Sequence, residues 1–444
     1  MILDKGKLYH FTGIGGIGMS SMAEAMHKWG FRVQGSDASE GDNIASLRKS
    51  GIKTFIGHSA SNAEGADFVV YSSAVPLDNV ELNLGVPLVP RAEMLAALMS
   101  TKKSVAVAGT HGKTTTTSFV GTMLDFGELD PFIIDGGIMN YYGAHNRIGS
   151  GGWMVVEACE AYGNIRYFSP TISVITNIDP EHLDYYKTVE NLHEEFERLA
   201  ARTSDMVVLC NDHPVTREMA KKLKNAVTYG IDGPADLTAS NIRIADDGAH
   251  FDSNVMKGLR IPLYGRHNVQ NALAAIAVGR SLDMPEDKMR ASLENFTGTK
   301  HRFSRVGEVG GVRIFDDYGH HPAEISATLS LAREIAKGGG IFAVFEPHRY
   351  SRLTDLFDDY PKALSLADRV VIMPVYAARE SAEGMKSRND LLVAMPEAFA
   401  ADTMDDVARI IVNMAHPGDM VVSFSAGKLK NEIYKLLALL QYHK

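Results

Sequence analysis

Thiols are nearly absent from this sequence: Cys159 and Cys210 are the only two in 444 residues. That excludes a disulfide framework and fits a reducing compartment. No stretch reaches the roughly 18 consecutive apolar residues that a membrane helix needs. The N-terminus lacks a basic segment followed by an apolar core, so no secretory leader is expected. A basic excess is missing too. The formal net charge of −9 disfavours nucleic acid and anionic membrane surfaces, so neither a nucleic-acid partner nor membrane anchoring is expected. Repeats and low-complexity segments are also lacking. A cytoplasmic globular protein is the expectation, and its length is too great for one ordinary core.

What the sequence has in plenty is alternation. Apolar runs at 68–71, 104–108, 154–157, 172–176, 206–209, 341–345, 370–373 and 420–424 are separated by segments of helical spacing. Continuous apolar strands with helices between them predict parallel sheets covered on both faces, an α/β fold. Two seams divide the chain: polar Ser100-Thr101-Lys102-Lys103, and Thr297-Gly298-Thr299. Three α/β domains are expected, over 1–101, 102–296 and 297–444. The first reads as Rossmann-like. The second reads as a P-loop-type ATPase domain with a mostly parallel sheet, and the third is again Rossmann-like.

Two glycine-rich loops stand at strand–helix junctions. The first, Thr12-Gly13-Ile14-Gly15-Gly16-Ile17-Gly18-Met19-Ser20, follows a strand-like run, and Asp37 comes 24 residues after Gly13 at the end of another. Gly13, Gly15 and Gly18 keep the dinucleotide spacing, which serves a tight turn, close approach to a diphosphate and helix–strand packing. By itself this loop reads as an NAD-dependent oxidoreductase. The second, Gly109-Thr110-His111-Gly112-Lys113-Thr114, also leaves a strand and opens a helix. Backbone amides facing phosphate, a lysine for the β- and γ-phosphates and a threonine hydroxyl for Mg²⁺ make it a shortened P-loop for ATP. An oxidoreductase has no use for that second cradle, whereas a UDP-sugar carries a diphosphate for the first. The pair predicts ATP-driven chemistry on a UDP-linked substrate.

From Gly109 to Thr114 the chain resembles the Mur ligases, the ATP-dependent amino-acid ligases of peptidoglycan assembly. The likeness includes the first loop and Thr176-Asn177-Ile178-Asp179-Pro180-Glu181-His182-Leu183-Asp184. It continues through Gly265-Arg266-His267-Asn268-Val269-Gln270-Asn271-Ala272, Asp316-Asp317-Tyr318-Gly319-His320-His321-Pro322 and Pro347-His348-Arg349-Tyr350-Ser351-Arg352. It covers essentially the whole chain. The resemblance implies that the first domain binds a UDP-sugar, the second ATP and the third an amino acid. It implies that ATP phosphorylates the lactyl carboxylate of UDP-N-acetylmuramate, and that the amine of L-alanine attacks the resulting acyl phosphate.

By position in the family's motifs, the resemblance assigns Gly15, Gly16, Ile17, Gly18, Met19, Ser20, Asp37, Ser73 and His111 to the UDP-sugar. Gly109, Thr110, Gly112, Lys113, Thr114, Thr115, His267, Asn271, Arg302 and Asp317 go to ATP, and Thr114, Glu157 and His182 to Mg²⁺. Tyr318, His320, Arg349 and Arg352 go to the amino acid, with Lys113, Arg302 and His320 catalytic. Residue chemistry alone leaves blander alternatives open. His182 reads as a structural histidine, His267 and Asn271 as one face of a surface helix, and Arg349 and Arg352 as partners of Asp355, Asp358 and Asp359. Of Asp316 and Asp317, one suits ribose or magnesium, and the other suits capping a helix that starts near Pro322. A zinc reading of His320 and His321 fails, because neighbours rarely face one ion and no thiolate is near.

Several departures mark this chain. The family's Glu-Ala-Asp-Glu-Ser-Asp reads Glu157-Ala158-Cys159-Glu160-Ala161-Tyr162, and its Arg-Arg-Phe reads His301-Arg302-Phe303. Ser425-Ala426-Gly427-Lys428 replaces a Gly-Ala-Gly-Asp-like segment, and Arg379 stands where glycine is usual. These changes gather on the substrate side and leave the ATP core intact. Tripeptide-adding relatives more often carry Phe-Ala at the positions of Tyr318-Gly319, so this pair favours L-alanine as acceptor.

Overall fold

A computed structural model describes residues 2–378 and 380–442, which leaves Arg379 outside the described residues. The chain builds three sheets in two compact units, one of residues 1–243 and 247–298, the other of 244–246 and 299–444.

In the first unit, five strands form one parallel sheet: β1 (Leu8–Thr12), β2 (Arg32–Asp37), β3 (Lys53–Ile56), β4 (Phe68–Tyr71) and β5 (Leu88–Pro90). Their order is β3-β2-β1-β4-β5. Strand order reverses between β1 and β4, and the carboxyl edge of such a switch point is where open α/β sheets take ligands. The Gly13 turn leaves β1 there, and Ser73 follows β4.

The same unit holds a larger sheet. Its strands are β6 (Lys103–Ala108), β7 (Phe132–Met139), β8 (Ala144–Ile148), β9 (Trp153–Glu157), β10 (Ile172–Ile175), β11 (Met206–Cys210), β12 (Ala226–Gly230), β13 (Leu237–Ala245), β14 (Gly248–Ser253) and β15 (Leu259–Ile261). The order is β15-β14-β13-β12-β11-β10-β6-β9-β7-β8, with β7–β8 and β14–β15 antiparallel at its two ends. The helix Lys113–Phe126 is buried at every position from Thr114 to Leu124, so it runs through the interior rather than along a surface. One apolar core joins the two sheets, from Tyr9, Met22 and Met94 to Phe132, Val156 and Phe196. Trp29 meets Phe132 edge-on at 5.1 Å.

The second unit has its own core around Ile314, Val344, Val407 and Leu436. Its strands are β16 (Ser304–Val309), β17 (Val312–Asp317), β18 (Ile341–Phe345), β19 (Arg369–Ile372), β20 (Phe399–Ala400) and β21 (Met420–Phe424). They lie in the order β16-β17-β21-β18-β19-β20, with β16 antiparallel to β17 and the other pairs parallel. The helix Pro322–Ala336 has Pro at its first turn, as expected, and His321 caps it. Asp316 and Asp317 are the last two residues of β17.

Candidate active site

The first loop is braced by backbone and side-chain groups of its neighbours. Ser36 O accepts from the N–H groups of Gly13 and Ile14 at 2.8 and 2.9 Å. Asp37 accepts from Gly15 N at 2.8 Å, and Asn43 Nδ2 donates to Gly15 O at 2.8 Å. Asp37 is therefore part of the loop's scaffold as well as a neighbour of any ligand on it. Gly16 caps the helix Ile17–Lys28, whose N-terminal amides and dipole favour a diphosphate. Ile17 is exposed, whereas Met19 packs into the core. Ser20 Oγ donates to Ile17 O at 3.1 Å. Ser73 is exposed.

The second loop is held from β10. His111 N donates to Asn177 Oδ1 at 2.7 Å, Thr176 Oγ1 donates to His111 O at 2.6 Å, and Thr110 N donates to Asn177 O at 3.1 Å. Gly109 has φ +134° and a Cβ there would collide with Thr176 Oγ1. Gly112 caps the helix Lys113–Phe126 at φ +80°, and a Cβ on it would stand 3.0 Å from Asn271 Oδ1. Only glycine suits these two positions. Asn271 is buried on the helix Arg266–Ser281, and His267 is exposed one turn earlier. The structure thus brings the carboxamide of Asn271 against the loop of residues 109–114. Thr114 and Thr115 are buried at the helix start, and His111 projects outward with Nε2 3.6 Å from Asp179 Oδ2.

Lys113 Nζ donates to the carbonyls of Gly109 and, at 2.9 Å, Thr110, and lies 3.0 Å from Glu160 Oε2. Burial is the largest single influence and works against its charge, but Glu160, Cys159 and Glu157 together outweigh it and hold the pKa above the ordinary lysine value. Glu160 is almost fully buried, and its Oε2 has no hydrogen bond of proper geometry. Glu160, Glu181 and His182 bring ligand atoms within 4.8 Å of one another, the group among the described residues suited to a metal ion. Two carboxylates and an imidazole fit Mg²⁺ through their hard oxygens. Glu157, at the end of β9, stands outside this group; its Oε2 accepts from Gly136 N at 3.0 Å, and its charge adds to that of Glu160 on Lys113. His182 is in it, but beside Glu160 and Glu181 rather than Glu157.

In the second unit, Asp316 is fully buried, paired with His301 Nδ1 and accepting from Ser423 Oγ at 3.0 Å. Asp317 accepts from Phe303 N at 2.8 Å and Gly319 N at 2.7 Å. The exposed Arg302 guanidinium lies 5.7 Å from the centre of the Tyr318 ring. Tyr318 meets His320 edge-on at 5.5 Å, and His320 lies 5.9 Å from His348. His348 stacks on Tyr376 at 5.4 Å, and Arg352 Nη1 donates to His348 Nδ1 at 3.0 Å. Burial first, then the charge of Arg352, pushes the His348 pKa down to about 4. No ion pair joins Arg349 or Arg352 to Asp355, Asp358 or Asp359 among the described residues. Tyr318, His320 and Arg352 therefore share one surface around His348, with Arg349 beside it in the chain. His321 turns away, accepting from Ala323 N at 3.2 Å as the helix cap. Exposed Lys428 opens the helix Leu429–Glu432, and Ser425 Oγ donates to buried Glu346 at 2.5 Å.

The sequence pattern of the Mur ligase family catalytic domain matches residues 8–103, that of the Mur ligase middle domain 107–279, and that of the Mur ligase glutamate ligase domain 301–427. The chain is 45% identical over 439 residues to a UDP-N-acetylmuramate–L-alanine ligase of Jannaschia sp., covering 95% of this chain and 92% of that one. It is 46% identical over 450 residues to the enzyme so named from Rhodospirillum centenum, covering 95% and 92%. The crystal structure of UDP-N-acetylmuramate-alanine ligase from Thermotoga maritima superposes with a TM-score of 0.81 at 30% identity, covering 99% of this chain and all of that one. The chain belongs to the Mur ligase family. A murein peptide ligase from Psychrobacter arcticus shares the fold at 22% identity, with a TM-score of 0.67 over 98% of this chain and 99% of that one.

Within this Mur ligase, sequence reasoning passed over Glu160, Glu181 and His348. All three stand inside motifs already quoted, and their signal was a polar residue just past a strand's carboxyl end. Glu81, deep beneath the first loop, gave no signal at all.

Proposed function

We propose that this chain joins L-alanine to the lactyl carboxylate of UDP-N-acetylmuramate at the expense of ATP, in peptidoglycan precursor synthesis. The observation that carries the reading is the pair of phosphate cradles in one chain, the second ending on Lys113 beside Glu160. The near full-length likeness to ligases of that name supports it.

Residues 1–101 take the UDP-sugar, with the amides of 13–20 on its diphosphate and Ser73 and His111 toward the rest. Residues 102–296 take ATP: Gly109, Thr110, Gly112, Thr114 and Thr115 cradle its phosphates, while His267 and Asn271 flank the base. Residues 297–444 take L-alanine. The γ-phosphoryl group passes to the lactyl carboxylate, and Lys113 and Arg302 neutralise the charge that spreads over its oxygens. Asp317 attends the nucleotide. Thr114, Glu157 and His182 would hold Mg²⁺, with Glu160 and Glu181 as further carboxylates near His182; when bound, the ion supplies charge neutralisation on the phosphates. Arg349 and Arg352 grip the carboxylate of L-alanine, which leaves its neutral amine to attack the acyl phosphate. Tyr318 and His320 orient that amine; burial keeps the His320 pKa below its ordinary value, favouring a neutral imidazole. Phosphate leaves and the amide remains. No described helix is long and apolar enough to cross a membrane, and the reaction belongs in the cytoplasm with its nucleotide substrates.

The test runs the enzyme with ATP, Mg²⁺ and UDP-N-acetylmuramate against a panel of amino acids, with mass spectrometry of the product. A mass gain of one alanine residue, with ADP formed in step, is the expected outcome. Tight NAD⁺ binding in place of the UDP-sugar, or turnover with a different acceptor only, overturns the reading.

A further inference from the structure

Glu81 is a glutamate with no exposed surface at all. An ionised carboxylate can sit in such a place only if hydrogen-bond donors replace the water it has lost. Six groups do so. Oε2 lies 3.1 Å from His10 Nε2 and 3.4 Å from His58 Nδ1, and accepts from Thr12 Oγ1 at 3.0 Å and Ser36 Oγ at 2.5 Å. Oε1 accepts from Ser59 N at 3.1 Å and Asn62 Nδ2 at 2.9 Å.

Where these donors stand matters more than their number. Thr12 is the last residue of β1, and the next residue is Gly13. Ser36, on β2, uses its hydroxyl for Glu81 and its carbonyl for the N–H groups of Gly13 and Ile14. Asp37, next in the chain, holds Gly15 N. One buried carboxylate therefore fixes both strand ends from which the glycine turn hangs. No residue of the reaction described above needs it, and a helix dipole alone would not set where the amides of that turn point.

We propose that Glu81 is a positioning residue for UDP-sugar binding, acting through Thr12 and Ser36 on the backbone of residues 13–16. The inference rests on the reading of residues 13–20 as the UDP-sugar loop. A misplaced loop should weaken binding of the UDP-sugar alone, since ATP sits on a cradle anchored to β6 and β10.

Three variants test this: Glu81→Gln, Thr12→Val and Ser36→Ala. The latter two each delete one hydroxyl and leave the carboxylate its other donors, so they decide the matter even where Glu81→Gln fails to fold. The expected result is a KM for UDP-N-acetylmuramate raised roughly 10- to 100-fold, with the KM for ATP within about twofold of wild type. Amide hydrogen exchange at residues 13–16 should quicken in the same variants. A lower Tm with unchanged KM values, or equal rises for both substrates, overturns the proposal and leaves Glu81 a stabilising residue only. Should the wild-type protein not use UDP-N-acetylmuramate, the functional reading falls. The exchange measurement then decides separately: quicker exchange supports the positioning role, and unchanged exchange overturns it.

Discussion

Asp317 accepts two backbone N–H groups, yet burial raises its pKa to about 6 against an ordinary 3.8, outweighing the nearby Arg302 and those two donors. An acid with a raised folded pKa keeps a proton that the unfolded chain has already released. Between pH 4 and 6 the native state thus binds more protons, and stability falls as pH rises through that window before levelling off above it. The shift corresponds to about 3 kcal/mol. Asp317→Asn cannot ionise, so its Tm relative to wild type should climb from pH 4 to pH 6 and then stay flat. Thermal unfolding of both proteins across that range checks it, and an offset independent of pH would contradict the assignment. The same side chain is proposed to attend the nucleotide, so its titration and its ligand are coupled.

At the scale of elements, the loop of residues 109–114 depends on geometry that only backbone can supply. Gly109→Ala puts a side chain at φ +134° and drives its Cβ into Thr176 Oγ1. Such strain costs on the order of 1–3 kcal/mol, and the loop should relieve it by moving off Thr176 and Asn177. We expect the KM for ATP to rise at least ~10-fold, with a smaller rise for the UDP-sugar, which meets only His111 of this loop; steady-state kinetics with each substrate varied would reveal the opposite. The strands were legible because they are continuous apolar runs: 68–71 and 341–345 coincide with β4 and β18 to the residue. The half-exposed β12 and β13 and the short β15 give no such run, and they went unread. The acidic group around His182 was only partly legible. Strand-end logic singles out Glu157 and His182, whereas what joins Glu160 to His182 is a meeting of two turns. Tyr162 and Gly163 (φ +55° and +64°) and His182 (φ +56°) all take left-handed backbone, and no local pattern forecasts where such turns converge.

For the whole molecule, the shared core of the first two sheets makes a specific demand. Cutting the chain at residue 101 strips Trp29 of Phe132 and Glu24 of Asn146, whose Nδ2 lies 3.3 Å away. Losing the cover of two or three apolar side chains, at about 1.5–3 kcal/mol each, should lower the Tm of a 1–101 fragment by more than ~10 °C relative to a 1–298 fragment. Equal melting temperatures by circular dichroism would show that the shared core carries no stability. The wholly interior helix behind Lys113 has a different consequence. A surface helix gives evolution an outer side on which residues drift freely, every third or fourth position. From Thr114 to Leu124 there is no outer side. The segment that carries Lys113 must therefore be inherited nearly as a block, and innovation in this enzyme is pushed into the turns around it.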